Sequence, residues 1–289
     1  MGIQELATSF GGPRLVAGYS DGVVGVWEIE SRRRIGAFPS VFGFGGRRLA
    51  IDGTGACVVA AAYTRGGIAA YDAGTGRQVW RVRGLGAIDS VRFSSDSKAL
   101  FCALGKGSLH ILDATTGLVL SSQLSGVRSI WEDERGTRQV REVARGRGYE
   151  LLTVNTRTVA RVTNGTGSVF DVAFSVGMVC IADGLVRCMD FETGAEQWRY
   201  ESPPGWHVLR LAPAHLDGAF LGVEFCYSDV HQPERLVYLS NGPSQATQIA
   251  ATPRAMDRGF VGRGRYLITT NGAVIDTRSG EAAEPFLFE

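Results

Sequence analysis

The chain has 289 residues, 44% hydrophobic and 20% charged, with 39 glycines against 9 prolines and a formal net charge of +1. Disorder and collagen-like repetition are excluded by that composition, and the near-neutral balance removes any global attraction toward nucleic acid or anionic lipid. So many glycines without a collagen period point to tight turns between short strands, and the length suffices for one large domain.

Strand-like patterning begins at the N-terminus. Strands predicted at Gln4–Ser9, Arg14–Tyr19, Val23–Ile29 and Arg34–Phe38, with Asp21-Gly22 as a hairpin turn, form a first segment over residues 1–40. The second, 41–84, contains Cys57–Tyr63, Ile68–Tyr71 and Gln78–Val82. The third, 85–126, reads most cleanly, with Asp89–Phe93, Ala99–Leu104, Ser108–Leu112 and Leu118–Ser122. The fourth, 127–168, is degenerate. Leu151–Val154 and Thr158–Val162 read as a hairpin, but Trp131–Arg147 is too charged for a buried inner strand. It reads as a long loop, or carries its first strand within Gln139–Ala144. The fifth, 169–204, repeats the third with Phe170–Phe174, Met178–Ala182, Leu185–Met189 and Gln197–Tyr200. The sixth, 205–251, has His207–Ala212, Ala219–Tyr227, Leu236–Leu239 and Gln245–Ile249, and the seventh, 252–289, has Arg265–Thr270 and Ala273–Ile275. No helix-period stretch of useful length occurs.

One phrase recurs at the end of the third strand: Asp72-Ala-Gly-Thr-Gly76, Asp113-Ala-Thr-Thr-Gly117, Asp190-Phe-Glu-Thr-Gly194 and Asp276-Thr-Arg-Ser-Gly280. Asp72 to Asp113 is 41 residues and Asp113 to Asp190 is 77, close to two such steps, which is the period of a radial all-β array. The Asp and Thr side chains accept hydrogen bonds from amides just ahead and close the turn, and Gly supplies the positive φ at its exit. In two copies a Trp follows four residues past the Gly, Trp80 and Trp198. Each is read as a wedge between neighbouring sheets, since an aromatic of that size removes ~200 Å² from water.

Ala70-Tyr-Asp72 through Trp80, and Cys188-Met-Asp190 through Trp198, resemble the Ala-x-Asp-x-x-Thr-Gly-x-x-x-Trp blade pattern of the quinoprotein-like branch of the β-propeller superfamily. The resemblance extends to the WD-repeat group, although true Trp-Asp endings are absent and Val26-Trp27-Glu28 is the nearest approach. It implies an all-β fold, a seven-bladed β-propeller of four-stranded antiparallel blades, as one domain over 1–289 with the seven segments above as blades. Two ways of closing the ring stay open: seven flush units, or the opening strand completing the last sheet.

No motif spells out a reaction. Cys57, Cys102, Cys180, Cys188 and Cys226 are scattered and mostly within strands, without metal-ligand spacing, so neither a metal nor a cofactor is expected. Cys180 and Cys188 flank one hairpin. His110 reads as a half-buried strand residue, and His207, His215 and His231 as structural or solvated. Gly43-Phe-Gly45-Gly46 precedes no helix and so is no phosphate loop. A quinone-dependent dehydrogenase would need acidic calcium ligands and a channel Trp that the sequence does not place. The first cation is Arg14, and no apolar run approaches ~18 residues, so the chain is expected to be cytoplasmic with reduced thiols and away from membranes.

The expected function is non-enzymatic binding of one protein partner by a monomeric propeller. In such folds the loops joining second to third strands share a face with those linking consecutive blades. The loop bearing Tyr227, Asp229, His231 and Arg235 maps there, as do the linker ending in Trp206 and the linker with Phe42 and Phe44. The charged stretch adds Arg128, Arg135 and Arg138; its six arginines interleave with four acids, which argues against a nucleic-acid patch. Resemblance implies a narrower reading, a cytosolic immunity protein that binds and neutralises a cognate bacterial toxin or effector. A general assembly scaffold and a lactonase-like enzyme are the alternatives.

Overall fold

The computed structural model describes the chain apart from residues 1–2, 10–12, 41–46, 63–66, 106–107, 124–125, 144–147, 154–157, 163–168, 170, 215–218, 227–233, 241–244, 248–258, 262–264, 269–273, 280 and 284–289. Among the described residues there is no helix, and none therefore that is long and apolar enough to cross a membrane.

The strands fall into seven four-stranded antiparallel sheets, each running in chain order. The first holds β1 (Ile3–Thr8), β2 (Arg14–Tyr19), β3 (Val23–Glu28) and β4 (Arg34–Pro39), and the second β5 (Arg47–Ile51), β6 (Cys57–Ala62), β7 (Gly67–Asp72) and β8 (Gln78–Arg83). The third holds β9 (Ile88–Phe93), β10 (Ala99–Leu104), β11 (Ser108–Asp113) and β12 (Val119–Gln123). The fourth holds β13 (Val127–Glu132), β14 (Arg138–Val143), β15 (Gly148–Thr153) and β16 (Thr158–Val162). Next come β17 (Asp171–Phe174), β18 (Met178–Ala182), β19 (Val186–Asp190) and β20 (Glu196–Tyr200), then β21 (Trp206–Pro213), β22 (Phe220–Cys226), β23 (Glu234–Leu239) and β24 (Gln245–Thr247). The last sheet is β25 (Gly259–Val261), β26 (Tyr266–Ile268), β27 (Val274–Asp276) and β28 (Ala282–Ala283).

An apolar cluster fills the gap between every consecutive pair of sheets. One of them joins Leu15, Ala17 and Trp27 of the first sheet to Ile268 and Val274 of the last. The ring is thus closed by side-chain packing, with the first and last sheets each built from their own end of the chain.

The expectation of seven blades of one build is corrected here. Six sheets pair as full blades, whereas the last is described only over strands of three, three, three and two residues. In its segment the apolar runs are two or three residues long, set between Gly262-Arg-Gly-Arg265 and Asn271-Gly272. Such runs leave fewer side chains to bury than the other segments have. The reading of Trp131–Arg147 as a loop, or as a strand confined to Gln139–Ala144, is also overturned. The fourth sheet has a regular first hairpin, Val127–Glu132 paired with Arg138–Val143. Ile130, Trp131 and Val140 carry the burial, while Glu132, Asp133 and Glu134 line the channel and Arg138 reaches across to the fifth sheet.

The recurrent phrase closes the third-to-fourth-strand turn as its chemistry requires. Asp72 accepts from the amide and hydroxyl of Thr75 at 2.8 and 2.7 Å, Asp113 from those of Thr116 at 2.8 Å each, and Asp190 from those of Thr193 at 2.8 Å each. The Gly that follows has φ of 70° to 74° in the three copies. It also meets the preceding blade: a Cβ on Gly117 would lie 2.6 Å from Trp80, on Gly76 2.6 Å from Phe38, and on Gly194 2.2 Å from Ala160. Trp80 is a wedge between the second and third sheets, 8% exposed, its Nε1 donating to the Ala114 carbonyl at 2.8 Å. Trp198 packs, tilted, on Phe220 of the next sheet.

Candidate functional site

Because every strand reverses the one before it, the two ends of the propeller differ. One carries the first-to-second and third-to-fourth turns, the other the second-to-third turns and the links between blades. Arg135 lies in the turn between β13 and β14, and Arg138 begins β14, so both are at the first end. Trp206 begins β21 and Arg235 lies near the start of β23, so both are at the opposite end. Arg128 is near the start of β13 and is exposed at that opposite end too. Phe42, Phe44, Tyr227, Asp229 and His231 lie outside the described residues.

Trp206 and Arg235 are brought together. Pro203-Pro204-Gly205-Trp206 closes a turn with Trp206 N donating to Pro203 O at 2.9 Å and Gly205 at φ 83°, which sets the indole at the rim. The Arg235 guanidinium stacks 4.4 Å from the centre of that ring. Its Nε donates to Glu224, whose side chain is fully buried, and its Nη2 donates to the Tyr200 hydroxyl at 3.5 Å. Burial, with Glu224 beside it, pushes the Tyr200 hydroxyl up to about 12, so it stays a neutral partner. A guanidinium so held has little rotamer freedom left to lose on contact with another surface.

Arg138, by contrast, is used inside the fold. Its Nε donates to Asp133 Oδ2 at 2.9 Å, and its guanidinium lies 5.7 and 5.4 Å from the rings of Phe174 and Phe191, tying the fourth sheet to the fifth. Arg135 is exposed in its turn.

The polar lining of the central channel is the feature that the sequence did not place. A cavity of about 710 Å³ runs through the ring, lined by the first strand of each sheet. One register position in each of six blades forms a polar belt there, at Glu5, Arg48, Ser90, Ser129, Asp171 and Arg210. Glu5 takes Arg48 Nη1 at 3.4 Å, Arg48 Nε donates to the Asp89 carbonyl, Ser90 and Ser129 hydroxyls lie 3.5 Å apart, and Asp171 Oδ2 accepts Leu211 N at 3.0 Å. These links span 43, 41, 39 and 40 residues, so each joins one repeat to the next. Just before the belt, the first strands of the first, third, fourth and sixth sheets skip one residue in pairing: Gln4, Asp89, Arg128 and Leu209. A bulge re-aims the next side chain and leaves a carbonyl free of the ladder. Arg48 takes the one on Asp89, and Arg210 Nη1 that on Leu209 at 3.0 Å.

A second repeat mark was equally legible in principle. Ser9, Asp52, Ser94 and Asp133 each accept the amide five residues on, at Arg14, Cys57, Ala99 and Arg138, which closes the first turn of four blades. The signal is a Ser or Asp at near 41-residue spacing five residues ahead of the second strand.

Cys180 and Cys188 are register partners on adjacent strands and both thiols are free; burial pushes Cys188 up to about 12. A calcium-bound quinone does not fit the channel, because Trp131 there is buried with its face covered by Arg92 at 5.2 Å. Among the described residues no group of three or more His, Cys, Asp or Glu is placed to hold a metal.

Over residues 64–232 the sequence matches the family described as outer membrane protein assembly factor BamB. No curated protein matches it. Among solved structures the chain is similar to the β-propeller domain of Cps50 (Swd1) from Myceliophteria thermophila, with a TM-score of 0.72 at 11% identity, over 96% of this chain and 94% of that one. It is similar also to a chain of a mitotic checkpoint complex, with a TM-score of 0.74 at 14% identity, over 92% of this chain and 83% of the other. At these identities the likeness is one of fold.

Proposed function

The chain belongs to the quinoprotein-like propeller family described as outer membrane protein assembly factor BamB, and on that premise we propose that it is a non-enzymatic propeller that binds another protein through one face. The carrying observation is Trp206 stacked on an Arg235 already fixed by Glu224 and Tyr200 at the rim. Trp and Arg are the side chains that most often anchor protein interfaces, and an anchor held in place before contact binds at lower entropic cost. The family's description supports a partner that is itself part of a protein assembly.

The narrower reading, a cytoplasmic immunity protein that occludes one toxin, rests on the resemblance to small bacterial propellers alone. The two differ in compartment and in partner number. Crosslinking and purification from the native host, followed by fractionation, separates them: several assembly components, or one tight one-to-one complex. In either case Trp206→Ala is expected to lose the partner and Arg135→Ala, on the opposite end, to retain it. The reverse pattern, or no stoichiometric partner, refutes the docking face.

A further inference from the structure

We propose that a crevice between the second and third blades, at the end away from Trp206, receives an extended segment of another protein in which a large apolar side chain stands beside a lysine or arginine, whatever docks at the rim. The crevice measures about 320 Å³. Two hydrogen bonds tie the blades there, Gly53 N to Ser97 Oγ at 2.9 Å and Trp80 Nε1 to the Ala114 carbonyl at 2.8 Å. Cys57, Phe93 and Ala114 give it an apolar wall, and Val79, half exposed, completes the lining. Val79 is the residue that β8 skips in pairing with β7, and such a bulge turns a side chain out of the ladder. The skipped residue of β20 is an exposed Gln197, so the fold itself does not demand an apolar group at this place.

Of the five large hydrophobic side chains exposed among the described residues, four belong to these two blades: Val79, Leu118, Val119 and Leu120, at 44–67% exposure. Leu118 follows Gly117, which meets the Trp80 ring, so the start of β12 lies against β8. An apolar patch of this kind, rimmed by polar groups, marks a surface that contacts another molecule. The bulges at Val79 and Leu120 spoil both edges for strand addition, which leaves insertion of a side chain into the crevice as the mode of contact. Charge selects the occupant. The lining holds Asp52 and Asp72 and no cation. The adjoining turns add Asp96 and Asp113 against Arg77 and Lys98, so four acids face two cations, while Arg14 of the first blade is held on the Gly55 carbonyl at 2.7 Å. The turn bonds of Asp72 and Asp113 all fall on Oδ1, which leaves Oδ2 of each to a partner. That excess of negative charge repels an anionic membrane and suits a cation next to the apolar anchor.

The test is selection of random peptides from a phage-displayed library on the full chain, then titration of the most enriched peptide, synthesised with a fluorophore, by anisotropy. Enriched sequences are expected to share a large apolar residue adjacent to, or one residue from, Lys or Arg. Val79→Ser and Leu118→Ser, both at exposed positions, should each weaken the peptide about three- to tenfold, the worth of a partly buried aliphatic side chain. Asp72→Asn combined with Asp113→Asn keeps the turn acceptors but removes two charges, and should weaken it about three- to tenfold at low salt and little at high salt. Trp206→Ala should leave binding unchanged, which separates the crevice from the rim. Enrichment of acidic peptides or of none, binding that survives both serine variants, or binding lost with Trp206→Ala instead overturns the proposal. So does a wild-type dimer in sedimentation that Val79→Ser dissolves, which would give the crevice to a second copy.

Discussion

Trp80→Ala tests how the ring is held. The indole is 8% exposed, wedged between the second and third sheets, with its Nε1 on the Ala114 carbonyl at 2.8 Å. Removing a buried Trp side chain costs about 3–5 kcal/mol, and orphaning the carbonyl adds about 1 kcal/mol. With an urea m-value of about 3 kcal/mol/M, a loss of ~4 kcal/mol lowers the unfolding midpoint by about 1.3 M. Val79→Ala, next in the chain but half exposed, is the control and should shift it little. The same contact predicts a coupling. Gly117→Ala carries a backbone cost of roughly 1–2 kcal/mol, because φ is +74°, and a steric cost because its Cβ would stand 2.6 Å from the Trp80 ring. In the Trp80→Ala background only the backbone cost remains. A double-mutant cycle by urea unfolding should therefore show Gly117→Ala to be less damaging when Trp80 is absent. Equal damage in both backgrounds would refute the idea that turn glycines exist to receive the neighbouring blade.

Other outcomes follow from the same geometry. Gly194→Val should destabilise more than Gly84→Val as read by thermal unfolding, since both have positive φ but only Gly194 has a neighbour, Ala160 Cβ, 2.2 Å from the added atom. The Thr75 side-chain and backbone hydrogen bonds hold the Asp72 carboxyl below its ordinary range. A depressed folded pKa means that its stabilisation is present above the unfolded value, near 4, and disappears as pH falls through the folded one. Thr75→Val should move the Asp72 titration upward by NMR, and should make the acid loss of stability smaller and complete at a higher pH. Half-buried Glu132 and buried Asp183 behave oppositely: desolvation raises both, so stability should gain as pH falls from their folded values toward the unfolded ones. Replacing Glu132 with Gln should flatten that part of the stability profile.

The turn phrase was readable because everything it does is local. Asp, Thr and Gly within five residues make their own hydrogen bonds and positive φ, and four copies at a fixed period imply an array. The first strand of the fourth blade was not readable by the same means. Val127–Glu132 contains two charged residues in six, and they are accommodated because Glu132 lines the channel and Arg128 sits exposed at a bulge. The pairing of Trp206 with Arg235 joins residues that open different strands of one sheet, and neither contains a hint of the other.

What the sequence determined by itself, then, was the repeating unit: short strands, their turns, and the aromatic that wedges one unit against the next. Closure of the ring and the placing of the charges inside it were decided by tertiary structure. Turn chemistry acts over a handful of bonds, whereas the belt from Glu5 to Arg210 exists only when strands about 40 residues apart meet around a common axis. Packing between blades, not any residue's own preference, is what turns those side chains toward one another.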